Sequence, residues 1–365
     1  MMYAFILGHN PKLSAAEILA VLPKAKLVIQ ADSFLILEDV KIDCQKLLRQ
    51  LGGTIKIGEV LAEKIDQKII VEKLKKVKAS NKLKFGLSYY NCPKDKLGME
   101  VKTELKEAGI SCRLVTSRDK ALSSVVVTKN KVHDFLILGN KFLAQTCAVQ
   151  EFEEYSKRDY GRPVRDMQSG SMPPKLAKIM INLAQLKSSA IIIDPFCGSG
   201  TVLQEALLLN YNNIIGSDIS AKAIQDTKNN LKWLVKNQEL KNKIYTLHNV
   251  NVIQLSQVVT KVDAIVSEPL LGPTVRGTEK AEQIEKIVSE LSELYTQAFA
   301  EFKKILTKNG KVVIVFPSFR VAGKIYELEI IDEIKKLGFS QLSDDKLIYS
   351  RQGQKVYRNI KVFRI

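Results

Sequence analysis

Asp194-Pro195-Phe196-Cys197-Gly198-Ser199-Gly200-Thr201 decides how this chain is read. It follows Ala190-Ile191-Ile192-Ile193, a short apolar run of the kind buried on both faces of a parallel sheet, and leads into the helix-patterned TVLQEALLL. An acid thus closes a strand, Gly198 and Gly200 let the backbone turn tightly and approach a ligand, and Thr201 opens a helix whose first N–H groups are free. A second strand, in IIGSDIS, ends at Asp218, eighteen residues beyond Gly200. A carboxylate there accepts both hydroxyls of an adenosine ribose, and Ile219 follows it directly.

Two adenosine ligands compete for this pattern. A dinucleotide fold places a third glycine three residues after the second, for close packing of helix on strand. Leu203 stands there instead. Asp194, ahead of the turn, also suits a sulfonium and an ammonium better than a pyrophosphate, so the residues favour S-adenosylmethionine. Beyond residue 170 the strand pattern recurs, with strands ending at Asp194, Asp218, His248, Ser267 and Pro317, a helical segment from Gly277 to Leu306, and a final hairpin from Leu347 across Arg351-Gln352-Gly353-Gln354 to Phe363. This predicts a C-terminal doubly wound, Rossmann-like α/β sheet with a terminal antiparallel hairpin.

Composition sets the frame. The 365 residues, 45% hydrophobic and 26% charged, have room for two or three globular domains, and the net charge of +17 points to a polyanionic partner. The charge is uneven: residues 51–150 hold 19 Lys and Arg against 10 Asp and Glu, whereas residues 251–300 hold 4 against 7. Eight lysines lie between Lys64 and Lys84, and Lys68, Lys75, Lys76, Lys78, Lys82 and Lys84 are candidates for a phosphate-contacting face. Arg158, Arg162 and Arg165 are candidates to pin the same nucleic acid; for Arg158 the alternative is an ion pair with Glu153 or Glu154.

The five cysteines, Cys44, Cys92, Cys112, Cys147 and Cys197, are odd in number and widely spaced, and the three histidines His9, His133 and His248 form no metal or triad pattern. Neither a disulfide framework nor a metal site is expected, and Cys197 reads as a packing residue. MMYAFILGHN is too short for a membrane anchor, and a cytoplasmic protein is expected.

From Arg158 to Asp218 the chain resembles the THUMP-domain tRNA guanine-N2-methyltransferases, on RDYGRPVRDMQSGSMPPKLAKIMINLA, IIIDPFCGSGTVLQEAL and IIGSDIS. The Gly170-Ser171-Met172-Pro173-Pro174-Lys175 approach to a helix is the more specific part. The resemblance implies that this segment, with Ser171, covers the donor's methionine end, that the catalytic half has the class I methyltransferase fold, and that the substrate is guanosine 10 of tRNA. It implies four parts: an N-terminal α/β domain (1–60), a THUMP-like α/β RNA-binding domain (61–148), a linker (149–168) and the methyltransferase domain (169–365). The N-terminal part shows a helix from Ser14 to Val21, with Ser14 as cap and Glu17 as its box partner; the THUMP-like part shows strands at Cys112–Thr116, Ser124–Thr128 and Asp134–Leu138. A small activator subunit is one partner to look for; otherwise a monomer is expected.

The chain departs from this family at the second motif. Where relatives carry D-P-P-Y-G, it has Glu268-Pro269-Leu270-Leu271-Gly272. A purine amine is a poor nucleophile, so its N–H groups must be held by acceptors that aim the lone pair at the methyl carbon. Glu268 with Pro269 is placed in that role, with one methylene more than the usual acid. Leu271 removes a ring whose stacking on an extruded base is worth about 1–3 kcal/mol; Phe196, Phe316 and Phe319 are the candidate replacements. Asn251, with Asn249 as alternative, takes the place of the acid that meets the adenine amine. The segment from Gly272 to Gly277 is a candidate lid, with Arg276 reaching a phosphate. Besides guanosine N2 methylation, the departure leaves open another tRNA, ribosomal RNA or DNA amine, and a non-catalytic RNA-binding protein.

Overall fold

The computed structural model describes residues 1–78, 82–165, 172–240, 244–351 and 353–365. The chain forms two compact units, Met1–Glu153 and Glu154–Ile365. Among the described residues no helix is long and apolar enough to cross a membrane.

The first unit is one eight-stranded mixed sheet. Its strands are β1 (Tyr3–Leu7), β2 (Lys26–Gln30), β3 (Phe34–Glu38), β4 (Thr54–Ala62), β5 (Leu83–Tyr90), β6 (Cys112–Leu114), β7 (His133–Leu138) and β8 (Phe142–Val149), in the order β2-β3-β1-β4-β8-β7-β5-β6. Helices α1 (Pro11–Val21), α2 (Cys44–Gln50), α3 (Gln67–Lys75), α4 (Leu97–Glu107) and α5 (Ser124–Asn130) connect them. At the centre, Lys56 of β4 donates to Asp134 of β7 (2.6 Å) and to the Leu122 carbonyl (2.8 Å), while Ser88 and Thr146 donate to the same carboxylate. A buried ion pair is tolerable only when its remaining hydrogen-bonding positions are met in this way.

Four local expectations are corrected here. Ser124–Thr128 lies in helix α5, not a strand: Ser123 accepts the Val126 N–H at its start, and Val127 packs with Leu122 and Val132. Helix α1 starts at Pro11, with Asn10 at the cap position. Ser14 instead donates to the Gly53 carbonyl (2.9 Å), with that of Asn10 at 3.1 Å, and the buried Glu17 carboxylate accepts the Gly52 and Gly53 N–H groups. Cys44 and Cys147 form a disulfide because α2 packs on β8, bringing residues 103 apart in sequence to a Cα separation of 6.1 Å.

The second unit is the doubly wound sheet. After α6 (Phe152–Tyr160) and α7 (Pro174–Leu183) come β9 (Ile191–Asp194), α8 (Thr201–Leu208), β10 (Asn213–Asp218), α9 (Ala221–Asn237), β11 (Ile244–Asn249), a 3-10 turn (Val252–Gln257) and β12 (Val262–Ser267). Then follow α10 (Ala281–Ile305), β13 (Leu306–Val321), β14 (Lys324–Glu327), α11 (Ile331–Lys336), β15 (Ser340–Gln341), β16 (Leu347–Tyr349) and β17 (Val356–Arg364). The order β11-β10-β9-β12-β13-β17-β15 reverses direction at β9 and β12; strands β11 to β13 are parallel, and β17 runs antiparallel between β13 and β15. An open sheet of this kind binds ligands at the carboxyl ends of the strands flanking the reversal. The expected hairpin is present, Leu347 pairing with Ile360. Strand β13, however, runs on past Pro317: β12 pairs as far as Ile314 and β14 takes over at Ser318, so the proline sits where no ladder bond is lost on that side.

Candidate active site

Three acids reach the carboxyl edge at the reversal. Asp194 ends β9 and is buried, its Oδ1 accepting the Ser267 hydroxyl (2.5 Å) and the Phe196 N–H (3.2 Å). Burial pushes its carboxyl up to about 7; the charges of Asp218 and Glu268 add to the rise, and the two hydrogen bonds oppose it. Asp218 ends β10 and accepts the Gly198 N–H (3.0 Å) and the Ser220 N–H (2.9 Å), one on each oxygen. Each oxygen keeps a lone pair for a diol. Glu268 follows β12, where the usual acid of the second motif would stand.

The glycine turn is braced from behind. Thr227 of α9 donates to the Gly198 carbonyl (2.7 Å), and Asn230 donates to the Ser199 carbonyl (2.9 Å). Gly200 has φ +81° as the cap of α8, and a Cβ on it would lie 2.9 Å from the Thr227 methyl. Gly198 also has positive φ, yet a Cβ there would meet nothing within 4 Å, leaving its outer face open for a ligand. Gly200→Ala combines a left-handed backbone with a clash, so we expect a loss of about 1–3 kcal/mol in stability and weakened donor binding. Thermal melts and calorimetry check this; a variant melting and binding like the parent would refute it.

The two asparagines expected to meet an adenine amine also make local contacts. The Asn249 side chain donates to the Asp218 and Ile219 carbonyls, so it ties strand ends together. Asn251 caps the 3-10 turn by accepting the Ile253 N–H at 3.2 Å. Ile219 is 70% exposed and Ile253, in the 3-10 turn, is exposed too. Ile253 was not singled out in the sequence, where an apolar residue after Asn251 carries no signal of its own. Cys197 is buried, burial raises its thiol pKa, and its sulfur lies 3.7 Å from the Thr227 hydroxyl oxygen.

Several sequence-derived candidates are relocated. Arg158 is buried, donating to Glu205 of α8 (2.7 Å) and lying 4.5 Å over the Tyr155 ring. Arg162 is also buried, and donates to the Thr201 hydroxyl (2.7 Å); its Nε and Nη2 have no partner among the described residues. Neither arginine is placed to meet an RNA phosphate. Phe316 and Phe319 are buried in the core with Tyr295 and Phe299, so they offer no stacking face. Phe196, half-buried beside Asp194, remains in reach of the edge. Leu271 is half-buried, whereas Leu270 is 57% exposed. The buried Tyr295 hydroxyl donates to the Val315 carbonyl (3.0 Å) and leans toward that of Leu270 (3.4 Å), pinning the motif to the sheet. The Gly272–Gly277 loop is anchored by buried Val275 and by Glu279, which accepts the Arg276 and Gly277 N–H groups; the Arg276 side chain is exposed. In the first unit Lys75, Lys76 and Lys78 are exposed on and beside α3. Ser171 lies outside the described residues.

Comparison with known proteins places the chain among methyltransferases. A family model described as an RMKL-like methyltransferase domain matches residues 162–343, and a DNA methylase model matches residues 58–229. TrmN from Thermus thermophilus superposes with a TM-score of 0.55 at 16% identity, over 100% of this chain and 99% of that one, which establishes the shared fold. A tRNA (guanine(10)-N2)-dimethyltransferase of Methanocaldococcus jannaschii is 32% identical over 183 residues, 50% of this chain and 48% of that protein. A probable tRNA (guanine(10)-N2)-dimethyltransferase of Methanothermococcus thermolithotrophicus is 30% identical over 136 residues, 36% of this chain but 82% of that protein. The chain belongs to the tRNA guanine-N2-methyltransferase family. It spans about half the length of the first two curated relatives it matches. In this chain the acid of the second motif is engaged: Arg358 of β17 donates through Nε and Nη2 to the two oxygens of Glu268.

Proposed function

We propose that the protein methylates the exocyclic N2 of a guanosine in tRNA, position 10 being the first to test, by direct in-line transfer from S-adenosylmethionine. The convergence of Asp194, Asp218 and Glu268 at one strand-end edge carries this reading. The residues present fit the donor: an open glycine turn, a buried carboxyl poised to ionise against a cation, a second carboxylate with lone pairs for a diol, and exposed Ile219 and Ile253 for the faces of a purine. Cys197, Gly198, Gly200 and Thr201 shape that turn, Asn251 offers its amide at the adenine edge, and Ser171 belongs to the segment assigned to the methionine end. When bound, S-adenosylmethionine supplies the electrophilic methyl group. Glu268 accepts the N–H of the guanine amine beside Pro269, holding the nitrogen lone pair out of conjugation, and receives the proton the nitrogen sheds after transfer.

The first unit supplies the RNA grip. We assign residues 1–60 and 61–148, which share one sheet through β4, to an N-terminal and a THUMP-like part, 149–168 to a linker that carries α6, and 169–365 to the methyltransferase domain; we keep the cytoplasmic assignment alongside the Cys44–Cys147 bridge, for a protein acting as a monomer or with a small activator. Lys75, Lys76 and Lys78, all exposed, support this reading. Charge reversal at Lys75 and Lys78 is expected to weaken tRNA binding several-fold and to flatten its salt dependence by about one unit of log–log slope for each phosphate no longer neutralised. Binding titrations between low and moderate salt check it; unchanged affinity and slope would place the RNA elsewhere.

Incubating the protein with unmodified tRNA and methyl-labelled donor, followed by nucleoside mass spectrometry, tests the whole assignment. The expected product is N2-methylguanosine. Donor binding without any labelled nucleoside from tRNA would refute it and favour another nucleic-acid amine, the reading to which Leu271 in place of an aromatic ring gives weight.

A further inference from the structure

Glu268 and Arg358 are 90 residues apart and meet across the second unit as a two-point ion pair. Both side chains are only about 10% exposed. Arg358 sits mid-strand on β17, opposite Pro317 on one side and Tyr349 on the other, so its backbone is fixed by two neighbouring strands. Stability alone is a weak reason for such a pair, since taking both charges out of water offsets most of their attraction and an apolar pair of equal volume holds a fold as well.

The departure from the usual acid supplies a better reason. Glutamate carries one more rotatable bond than aspartate, and an untethered carboxylate at that reach would sample several rotamers. A guanidinium binding both oxygens side-on fixes the plane and the position of the carboxylate together. It uses one lone pair on each oxygen and leaves one on each to accept an N–H. We propose that Arg358 is a positioning residue, which fixes the Glu268 carboxylate so that its remaining lone pairs meet the exocyclic amine of the substrate base. This rests on the assignment of Glu268 as amine acceptor above. A lysine in its place keeps the charge but not the two-point geometry.

The test uses Arg358→Gln and Arg358→Lys, each alone and combined with Glu268→Gln, in steady-state assays on tRNA. A misplaced acceptor of this kind should lower kcat on the order of 100-fold, and the KM values for donor and tRNA should stay close to those of the parent. Arg358→Lys should recover part of kcat. In the Glu268→Gln background, Arg358→Gln should add little, because the group it positions is already lost. Parent-like or higher kcat in Arg358→Gln, the latter revealing a latch on Glu268, would overturn the inference. So would a full additional loss in the double variant. Donor binding and melting temperature need no RNA. Failure of Arg358→Gln to bind donor would reveal a purely structural role, and additive melting-temperature losses for the two single variants would show no coupling; either sinks the inference. Absence of methylation by the parent protein would count against the proposed function alone, leaving the donor-binding and melting measurements to judge Arg358.

Discussion

Glu268→Gln should lower kcat by roughly 10²–10³-fold, the usual consequence of deleting one charged or polar contact to the reacting group, while donor affinity stays within a factor of two. Glutamine keeps the length and one carbonyl oxygen, so Arg358 retains a hydrogen-bond partner and the strand ends stay packed. The obvious alternative, Glu268→Ala, is a poorer probe. It would strand a nearly buried guanidinium, and breaking a buried pair from one side destabilises by about 3–5 kcal/mol. Loss of activity in the alanine variant therefore mixes chemistry with unfolding. Donor titration by calorimetry and single-turnover methylation of tRNA separate the two for the glutamine variant. Full single-turnover rates in Glu268→Gln would remove Glu268 from the reaction and move the amine acceptor to a backbone carbonyl of the motif.

The strand–turn–helix–strand unit to which we assign the donor was legible as a fold element because its pattern is local. Asp194, Gly198, Gly200 and Asp218 sit within 25 residues, on one strand–turn–helix–strand unit whose periodicity fixes where each side chain points. The same holds for the hairpin that ends in β17. What escaped reading depends on contacts between distant segments. Arg158 and Arg162 look like surface cations in sequence, and only the packing of α6 and the following turn against α8 reveals Glu205 and Thr201 as their partners. Phe319 looked free to stack because it follows Pro317, yet β14 continues the sheet beyond the proline and buries it. The β-branched run Ser124–Thr128 carries a strand signal that one capping serine and a small apolar cluster override. The Cys44–Cys147 bridge and the Glu268–Arg358 pair join residues 103 and 90 positions apart, and no single-segment pattern encodes either.

Asp194 should make donor binding depend on pH in a defined sense. Burial, which disfavours the charged form, pushes its carboxyl up to about 7 from an ordinary value of 3.8. A ligand bearing a sulfonium and an ammonium favours the ionised form, so below pH 7 binding must expel a proton. Affinity is then expected to rise about tenfold per pH unit on approaching 7 from below and to level off above it, a limit set by one linked proton. The stability of the free protein is expected to follow the opposite trend. Its folded state holds the Asp194 proton more tightly than the unfolded chain, so this group's contribution to stability is complete below about pH 4, declines as pH rises, and is gone above about 7. Donor should therefore raise the melting temperature more at pH 8 than at pH 5.5. Asp194→Asn removes the titration while keeping a carbonyl oxygen for the Ser267 hydroxyl and the Phe196 N–H, so it should flatten both profiles and weaken donor binding by on the order of tenfold or more. Calorimetry at pH 6 in buffers of differing ionisation enthalpy measures the released proton directly. Uptake of a proton, or an affinity constant from pH 5.5 to 8, would show that Asp194 does not face the cationic end of the donor.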